Sequence, residues 1–266
     1  MTTNPIGVFD SGIGGLTVLK EIHHHLPGED IIYFGDTARV PYGIKSAETV
    51  QRFSHEVADY LTAKDIKMLV VACNTASAAA LTSLRESLPI PVIGVLMPGA
   101  YAATRATKTG KIGVIGTEGT VNSGAYPRLI RNIRPDASVV SRACPLFVPL
   151  VEEGRLSGEI TTLAANEYLA ALKGEGIDTL VLGCTHYPLI KPVIGEVMGP
   201  EVTLIDSAHE TAQEVGRVLK KTGLLNGSDR PASISYYVTD APERFKTVGE
   251  RFLGYSIGSV HKAELA

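Results

Sequence analysis

Two cysteines carry most of what this sequence says about chemistry. Cys73 closes the run Leu69-Val70-Val71-Ala72-Cys73-Asn74-Thr75, and Cys184 closes Leu180-Val181-Leu182-Gly183-Cys184-Thr185-His186. Each apolar run reads as a buried strand that ends on a thiol and then passes into small polar residues opening a helix. A helix N-terminus carries partial positive charge and unpaired N–H groups, both of which stabilise a thiolate. Two such thiols at equivalent places in two halves of a chain would face one site from opposite sides. That arrangement suits taking a proton from one face of a carbon and returning one to the other face.

Other candidates are weighed beside them. Asp10 ends an apolar run and is followed by Gly12-Ile13-Gly14-Gly15, which invites a dinucleotide-binding reading, with Asp36 at the ribose position. The third glycine position of that fingerprint holds Thr17, and a carboxylate in the tight turn would repel a pyrophosphate. Asp10 fits better as a holder of a substrate ammonium or a support for proton transfer, with a turn-forming Asx residue as the plain alternative. His186, two residues after Cys184, is placed to assist proton transfer or neutralise a carboxylate. Glu152 and Glu153 are adjacent, so at most one of them enters a site from a helix. His23-His24-His25 points in divergent directions on a helix and lacks a completing ligand, so no metal is expected. Cys144, before Pro145, reads as structural.

The elements that must hold these residues alternate. Ile6–Phe9, Ile31–Phe34, Met68–Ala72, Pro91–Val95, Ile112–Ile115, Ser138–Ser141, Leu180–Gly183 and Thr203–Ile205 read as strands buried on both faces, as in a parallel sheet. Leu16, Leu19, Ile22 and Leu26 recur at helical spacing until Pro27. Val50, Phe53, Val57 and Leu61 do the same behind a Ser46 cap with Glu48 in the first turn. The fold class is therefore α/β, with right-handed crossovers.

Part of the pattern occurs twice. Ile6-Gly7-Val8-Phe9-Asp10-Ser11 has a counterpart in Ile112-Gly113-Val114-Ile115-Gly116-Thr117, offset by 106 residues, and the two cysteines are offset by 111. Two similar parallel-sheet domains related by a pseudo-two-fold axis are expected, with the active site between them. Residues 1–97 plus 208–266 would form the first domain and 98–207 the second. The link between them is expected near Met97-Pro98-Gly99, with a second crossing after Asp206-Ser207. The segment Leu224 to Pro231 is turn-rich, and Ser233–Thr239 reads as a strand returning to the first domain. Ligands of open α/β sheets bind at the carboxyl ends of the strands. This puts Asp10-Ser11, Asp36-Thr37, Cys73-Asn74-Thr75, Thr117, Cys184-Thr185-His186 and Asp206-Ser207 at the working edges.

Composition narrows the setting. A formal charge of −3 over 266 residues, with scattered Lys and Arg, argues against a nucleic-acid surface. Apolar stretches stop short of membrane-spanning length, so no membrane partner is expected. Met1-Thr2-Thr3-Asn4-Pro5 lacks the features of a signal peptide, which makes a cytoplasmic location the expectation. Three widely spaced cysteines do not form a disulfide framework and are free thiols in a reducing compartment.

Five segments together resemble the glutamate racemases of the cofactor-independent aspartate/glutamate racemase family. They are Val8-Phe9-Asp10-Ser11-Gly12-Ile13-Gly14-Gly15-Leu16-Thr17-Val18, Phe34-Gly35-Asp36-Thr37-Ala38, Val40-Pro41-Tyr42-Gly43, Ala72-Cys73-Asn74-Thr75-Ala76-Ser77 and Gly183-Cys184-Thr185-His186-Tyr187-Pro188. The resemblance covers nearly the whole chain. It implies Cys73 and Cys184 as the acid/base pair, with Asp10, Glu152 and His186 in support. It implies substrate contacts from Asp10, Ser11, Tyr42, Gly43, Asn74, Thr75, Thr185 and His186. It further implies an isomerase acting on glutamate without a cofactor, a homodimer, and supply of D-glutamate for bacterial peptidoglycan. The start of the chain carries no extension of the kind linked to regulation by a peptidoglycan precursor in some members, so that regulation is not expected. Two readings of other kinds remain: an amino-acid-binding protein, which needs no paired thiols, and a thiol-disulfide enzyme, whose usual C-x-x-C spacing is missing.

Overall fold

Short β-branched runs, buried in the central strands, set the frame of the computed structural model, which describes residues 3–227 and 232–265. The first half runs β1 (Ile6–Asp10), α1 (Leu16–His25), β2 (Ile31–Gly35), a 3-10 turn (Tyr42–Ile44), α2 (Ala47–Thr62), β3 (Met68–Val71), α3 (Asn74–Ser87) and β4 (Val92–Gly94). The chain continues through α4 (Leu96–Ala106), β5 (Lys111–Gly116), α5 (Glu118–Asn122), α6 (Ala125–Ile133), β6 (Ser138–Ala143), α7 (Phe147–Glu152), α8 (Glu159–Gly174) and β7 (Thr179–Gly183). A second 3-10 turn (Tyr187–Ile190), α9 (Lys191–Met198), β8 (Thr203–Asp206), α10 (Ala208–Thr222), β9 (Ile234–Val238), α11 (Pro242–Leu253) and β10 (Val260–Lys262) complete it.

Two parallel sheets result, in the orders β10-β9-β2-β1-β3-β4 and β6-β5-β7-β8. Four consecutive strands of the first, β2-β1-β3-β4, repeat the order of the second. This is the duplication in three dimensions, with β1 matching β5 and β3 matching β7. In each sheet the chain winds outward from the first strand, then returns to the other side of it. The crevice at that reversal, where neighbouring loops leave in opposite directions, is where such folds bind ligands. Asp10 and Cys73 flank one reversal, and Thr117 and Cys184 flank the other.

Local chemistry explains the elements. Ser46 caps α2, accepting from the Thr49 N–H at 3.3 Å, and Val50, Val57 and Leu61 face the core. In α1, Leu16, Leu19 and Ile22 are buried and the helix stops before Pro27. Met97-Pro98-Gly99, near which the link between the halves is expected, lies in the first turn of α4, where a proline removes no helical hydrogen bond. Other expectations are corrected. β6 and β8 are not buried on both faces, because they are the edges of the second sheet. β10 is too short and polar to have been read as a strand. It lies beside β9, which itself pairs with β2. Of the turn-rich segment, Ser228, Asp229, Arg230 and Pro231 lie outside the described residues. Among the described residues no helix is long and apolar enough to cross a membrane.

Candidate active site

The thiols are reached by different local routes. Cys73 caps α3, its Sγ accepting from the Ala76 N–H at 3.5 Å and donating to Ser11 Oγ at 3.6 Å. Burial pushes this thiol up, the Asp10 carboxylate adds to the effect, and the Ala76 N–H and Ser11 oppose it; the result is about 12. Cys184 does not open a helix, contrary to the expectation. The chain bends after Gly183 into the 3-10 turn at Tyr187, and α9 begins only at Lys191. Pro188 lies in the 3-10 turn and Pro192 in the first turn of α9, so the 3-10 turn comes between the thiol and the helix. The polar group that meets Cys184 is instead His186, whose Nδ1 lies 3.9 Å from Sγ.

His186 is the centre of a charged relay. Its Nε2 lies 3.2 Å from Glu152 Oε1 at the end of α7. Burial works against the imidazolium, but hydrogen bonds to Cys184 and Glu152 outweigh it and lift the pKa to about 10. Glu152 is held below the usual carboxylate range: burial raises it, and the His186 hydrogen bond and charge more than reverse this. Glu153 faces away, bonded to Arg244 at 3.1 Å on the surface. Of the two glutamates, Glu152 alone reaches His186.

Asp10 ends β1 fully buried. Its Oδ2 accepts from the Gly12 N–H at 3.0 Å, and its Oδ1 from Thr185 Oγ1 at 3.3 Å. Burial raises its pKa against the pull of the His186 charge and these donors. Asp10 therefore contacts one half of the duplication and the thiol-bearing loop of the other. It lies behind the cavity rather than on its lining.

The cavity itself is lined by Ser11, Tyr42, Gly43, Cys73, Asn74 and Thr75 from one side, and by Thr117, Thr120, Cys184, Thr185 and His186 from the other. It offers about 20 Å³ to the centres of water-sized spheres, on the order of a single water. Direct bonds draw the sides together. Thr75 Oγ1 lies 2.9 Å from Thr117 Oγ1 and 3.1 Å from Thr120 Oγ1, and the Tyr126 hydroxyl donates to Asn74 Oδ1 at 2.8 Å.

Some strand-end residues have other work. Asp36 is saturated by Tyr42, by Arg39 at 2.6 Å and by Thr239 at 2.9 Å. Both of its oxygens are thus occupied, which removes the ribose-binding reading. The Tyr42 hydroxyl is committed to Asp36, so it is the Tyr42–Gly43 backbone that faces the cavity. Asp206 pairs with Lys191 at 2.9 Å and lies off the lining. Cys144 is buried with its Sγ toward the Arg142 carbonyl and does not line the cavity. Among the described residues no group of three or more acidic, histidine or cysteine side chains is arranged to hold a metal ion.

A family model described as Asp/Glu/hydantoin racemase matches residues 6–215. The chain belongs to this family. It is 57% identical over 265 residues to a glutamate racemase of Geobacter metallireducens, covering 100% of this chain and 98% of the relative. It is 51% identical to a glutamate racemase of Neisseria meningitidis serogroup A, covering 98% and 97%. Among solved structures it superimposes on the RacE1 glutamate racemase isoform of Bacillus anthracis with a TM-score of 0.96 at 45% identity, covering 100% and 99% of the chains. The Francisella tularensis glutamate racemase in complex with D-glutamate gives a TM-score of 0.93 at 42% identity, covering 99% and 98%.

In this racemase-family site, two side chains lay beyond the sequence reading. Thr120 and Tyr126 reach residues 45 and 52 positions away, and no local pattern announces such contacts. Thr117 stood at a strand end and is the counterpart of Ser11, so the duplication was the signal that marked it.

Proposed function

We propose that the protein interconverts L- and D-glutamate by two-base proton transfer at Cα, with Cys73 serving one face and Cys184 the other. One observation carries the reading: two buried thiols, at matching switch points of two like-ordered sheets, line one small cavity. The full-length likeness to glutamate racemases supports glutamate as the substrate.

The α-proton of an amino acid is weakly acidic, and a carbanion beside a carboxylate is costly. A thiolate on one face accepts the proton while a thiol on the other gives one up, and the sulfurs exchange roles with each turnover. The two environments divide the labour. Asp10 and burial favour the protonated form of Cys73, so it stands ready as the acid when L-glutamate is bound. Cys184, with His186 Nδ1 3.9 Å from its Sγ, is the base in the same direction. A substrate ammonium near Asp10 and Ser11 offsets the Asp10 charge, which lowers the cost of a Cys73 thiolate for the reverse direction. Asn74, Thr75 and the N-terminus of α3 are the donors for one carboxylate. The Tyr42–Gly43 backbone and Thr185 serve the other.

A cavity of about 20 Å³ does not admit glutamate, so the two halves separate for entry and close over the ligand. Closure excludes water, which would otherwise compete for the carbanion. No cofactor is required by this chemistry. The proposal extends to a homodimer in the cytoplasm that supplies D-glutamate for peptidoglycan.

The test is incubation of L-glutamate with the protein in deuterated water, following optical rotation and Cα deuterium together. Rotation should fall to zero, with deuterium entering Cα of the inverted product. Unchanged rotation with no deuterium uptake would leave an amino-acid-binding protein instead.

A further inference from the structure

Asn74 opens α3 and is buried on the cavity wall. Its two amide atoms are treated differently. Oδ1 accepts from the Tyr126 hydroxyl at 2.8 Å. Nδ2 is buried with no hydrogen-bond partner among the described residues. Burying an unsatisfied donor is costly, so a donor left this way at a cavity wall marks where an acceptor docks.

Tyr126 comes from α6, on the other side of the cleft, and is itself buried. Its ring is fixed by close packing. A methyl group on Gly183, the residue before Cys184, would stand 3.1 Å from the ring, and one on Gly99 in α4 would stand 3.0 Å from the hydroxyl. The hydroxyl of Ser207, which precedes α10, stands beside the Tyr126 oxygen and draws the phenol pKa down against burial; its side chain is not used to cap that helix. A phenol has one proton, and the observed bond sends it to Asn74 Oδ1, which leaves the Tyr126 oxygen as an acceptor for Ser207. The amide is then locked with Nδ2 as its free end. Turned over, it would present Oδ1 to a carboxylate and repel it. Burial pushes the Tyr126 phenol up, so it stays a donor across the working pH range.

We propose that Tyr126, oriented by Ser207, is a positioning residue that locks the Asn74 amide with Nδ2 presented to a carboxylate of the bound amino acid. The inference rests on the racemase reading above. Because Tyr126 and Asn74 stand on opposite sides of the cleft, the lock forms as the site closes, and it acts on both enantiomers alike.

Glutamate racemisation and calorimetric D-glutamate binding in Tyr126→Phe, Asn74→Ala, the double variant and Ser207→Ala test this. Tyr126→Phe should raise KM and Kd about tenfold, with kcat changed by less than about threefold. On the Asn74→Ala background it should add nothing. Ser207→Ala should weaken binding in the same sense by about threefold, since the phenol then gains freedom to turn. Full affinity in Tyr126→Phe, or a loss that simply adds to that of Asn74→Ala, would overturn the inference. Should Tyr126→Phe fail to fold, unchanged affinity in Ser207→Ala does the same. A wild-type protein that racemises no glutamate would remove the parent reading and this one with it. A working racemase indifferent to these variants removes this one alone.

Discussion

Replacing Glu152 by Gln isolates the charge that holds His186. The Gln carbonyl can still accept from Nε2–H, so the geometry survives while the negative charge goes. At the observed 3.2 Å, two unit charges attract by about 5 kcal/mol in an effective dielectric of about 20. The Glu152 side chain is 25% exposed, so solvent removes part of this, and a fall of about two pH units for His186 is the expected size. From about 10, the imidazolium would then titrate near pH 8. The sign follows from the cation being the working form: lowering its pKa loses it at lower pH, so the alkaline limb of kcat/KM moves down by about two units. At pH 8.5 the imidazolium fraction drops about fourfold, and activity with it. The assay is polarimetric kcat/KM for both enantiomers across the pH range. Both must fall in equal proportion, because substrate and product have equal free energy. Glu153→Gln, which touches only a surface arginine, is the control and should leave the profile within about twofold. An unmoved limb in Glu152→Gln, or an equal shift in Glu153→Gln, would refute the charged relay.

The equality of the two directions also means that racemisation cannot assign the cysteines, whereas half-reactions can. Either Cys→Ser change should abolish racemisation, yet Cys73→Ser should still eliminate a good β-leaving group from the L-like analogue and Cys184→Ser from the D-like one. Loss of the same enantiomer in both would sink the two-base division. Gly43→Ala places a methyl group against Thr117 across the cleft. Overpacking of this kind costs about 1–3 kcal/mol, so kcat/KM should fall at least about fivefold with little change in Tm, and full activity would mean that the halves need not close this tightly. Exhaustive chelation should leave activity intact, and restoration by an added metal after a loss would count against thiol-only chemistry. Cys144→Ala should keep kcat/KM within about threefold, because this thiol is buried off the cavity.

Much of this was legible before any coordinates, for a physical reason. Strand ends, helix caps and alternating apolar runs are decided by near neighbours in the chain. Hence the Ser46 cap, the paired apolar runs ending at Cys73 and Cys184, and the α/β class follow from local pattern. Where the reading faltered, the partners that side chains find in the folded chain had overruled the motif. Cys184 shares the motif shape of Cys73, but its partner is a histidine two residues on rather than a helix terminus. Asp36 has the position of a ligand-binding carboxylate, but Tyr42, Arg39 and Thr239 occupy it. Adjacent glutamates look equivalent in one dimension, and only the packing of α7 against the His186 loop separates Glu152 from Glu153.

The sequence by itself determined the residue types, the repeated strand-to-thiol motif and the sheets that hold it, because these depend on side-chain chemistry and on periodicity within a few residues. The tertiary structure alone decided which groups from the two halves meet: Thr75 with Thr117 and Thr120, Tyr126 with Asn74, Thr185 with Asp10. Those pairings depend on how one sheet is set against the other across the cleft. No local preference encodes that placement, since it emerges from the packing of the whole chain.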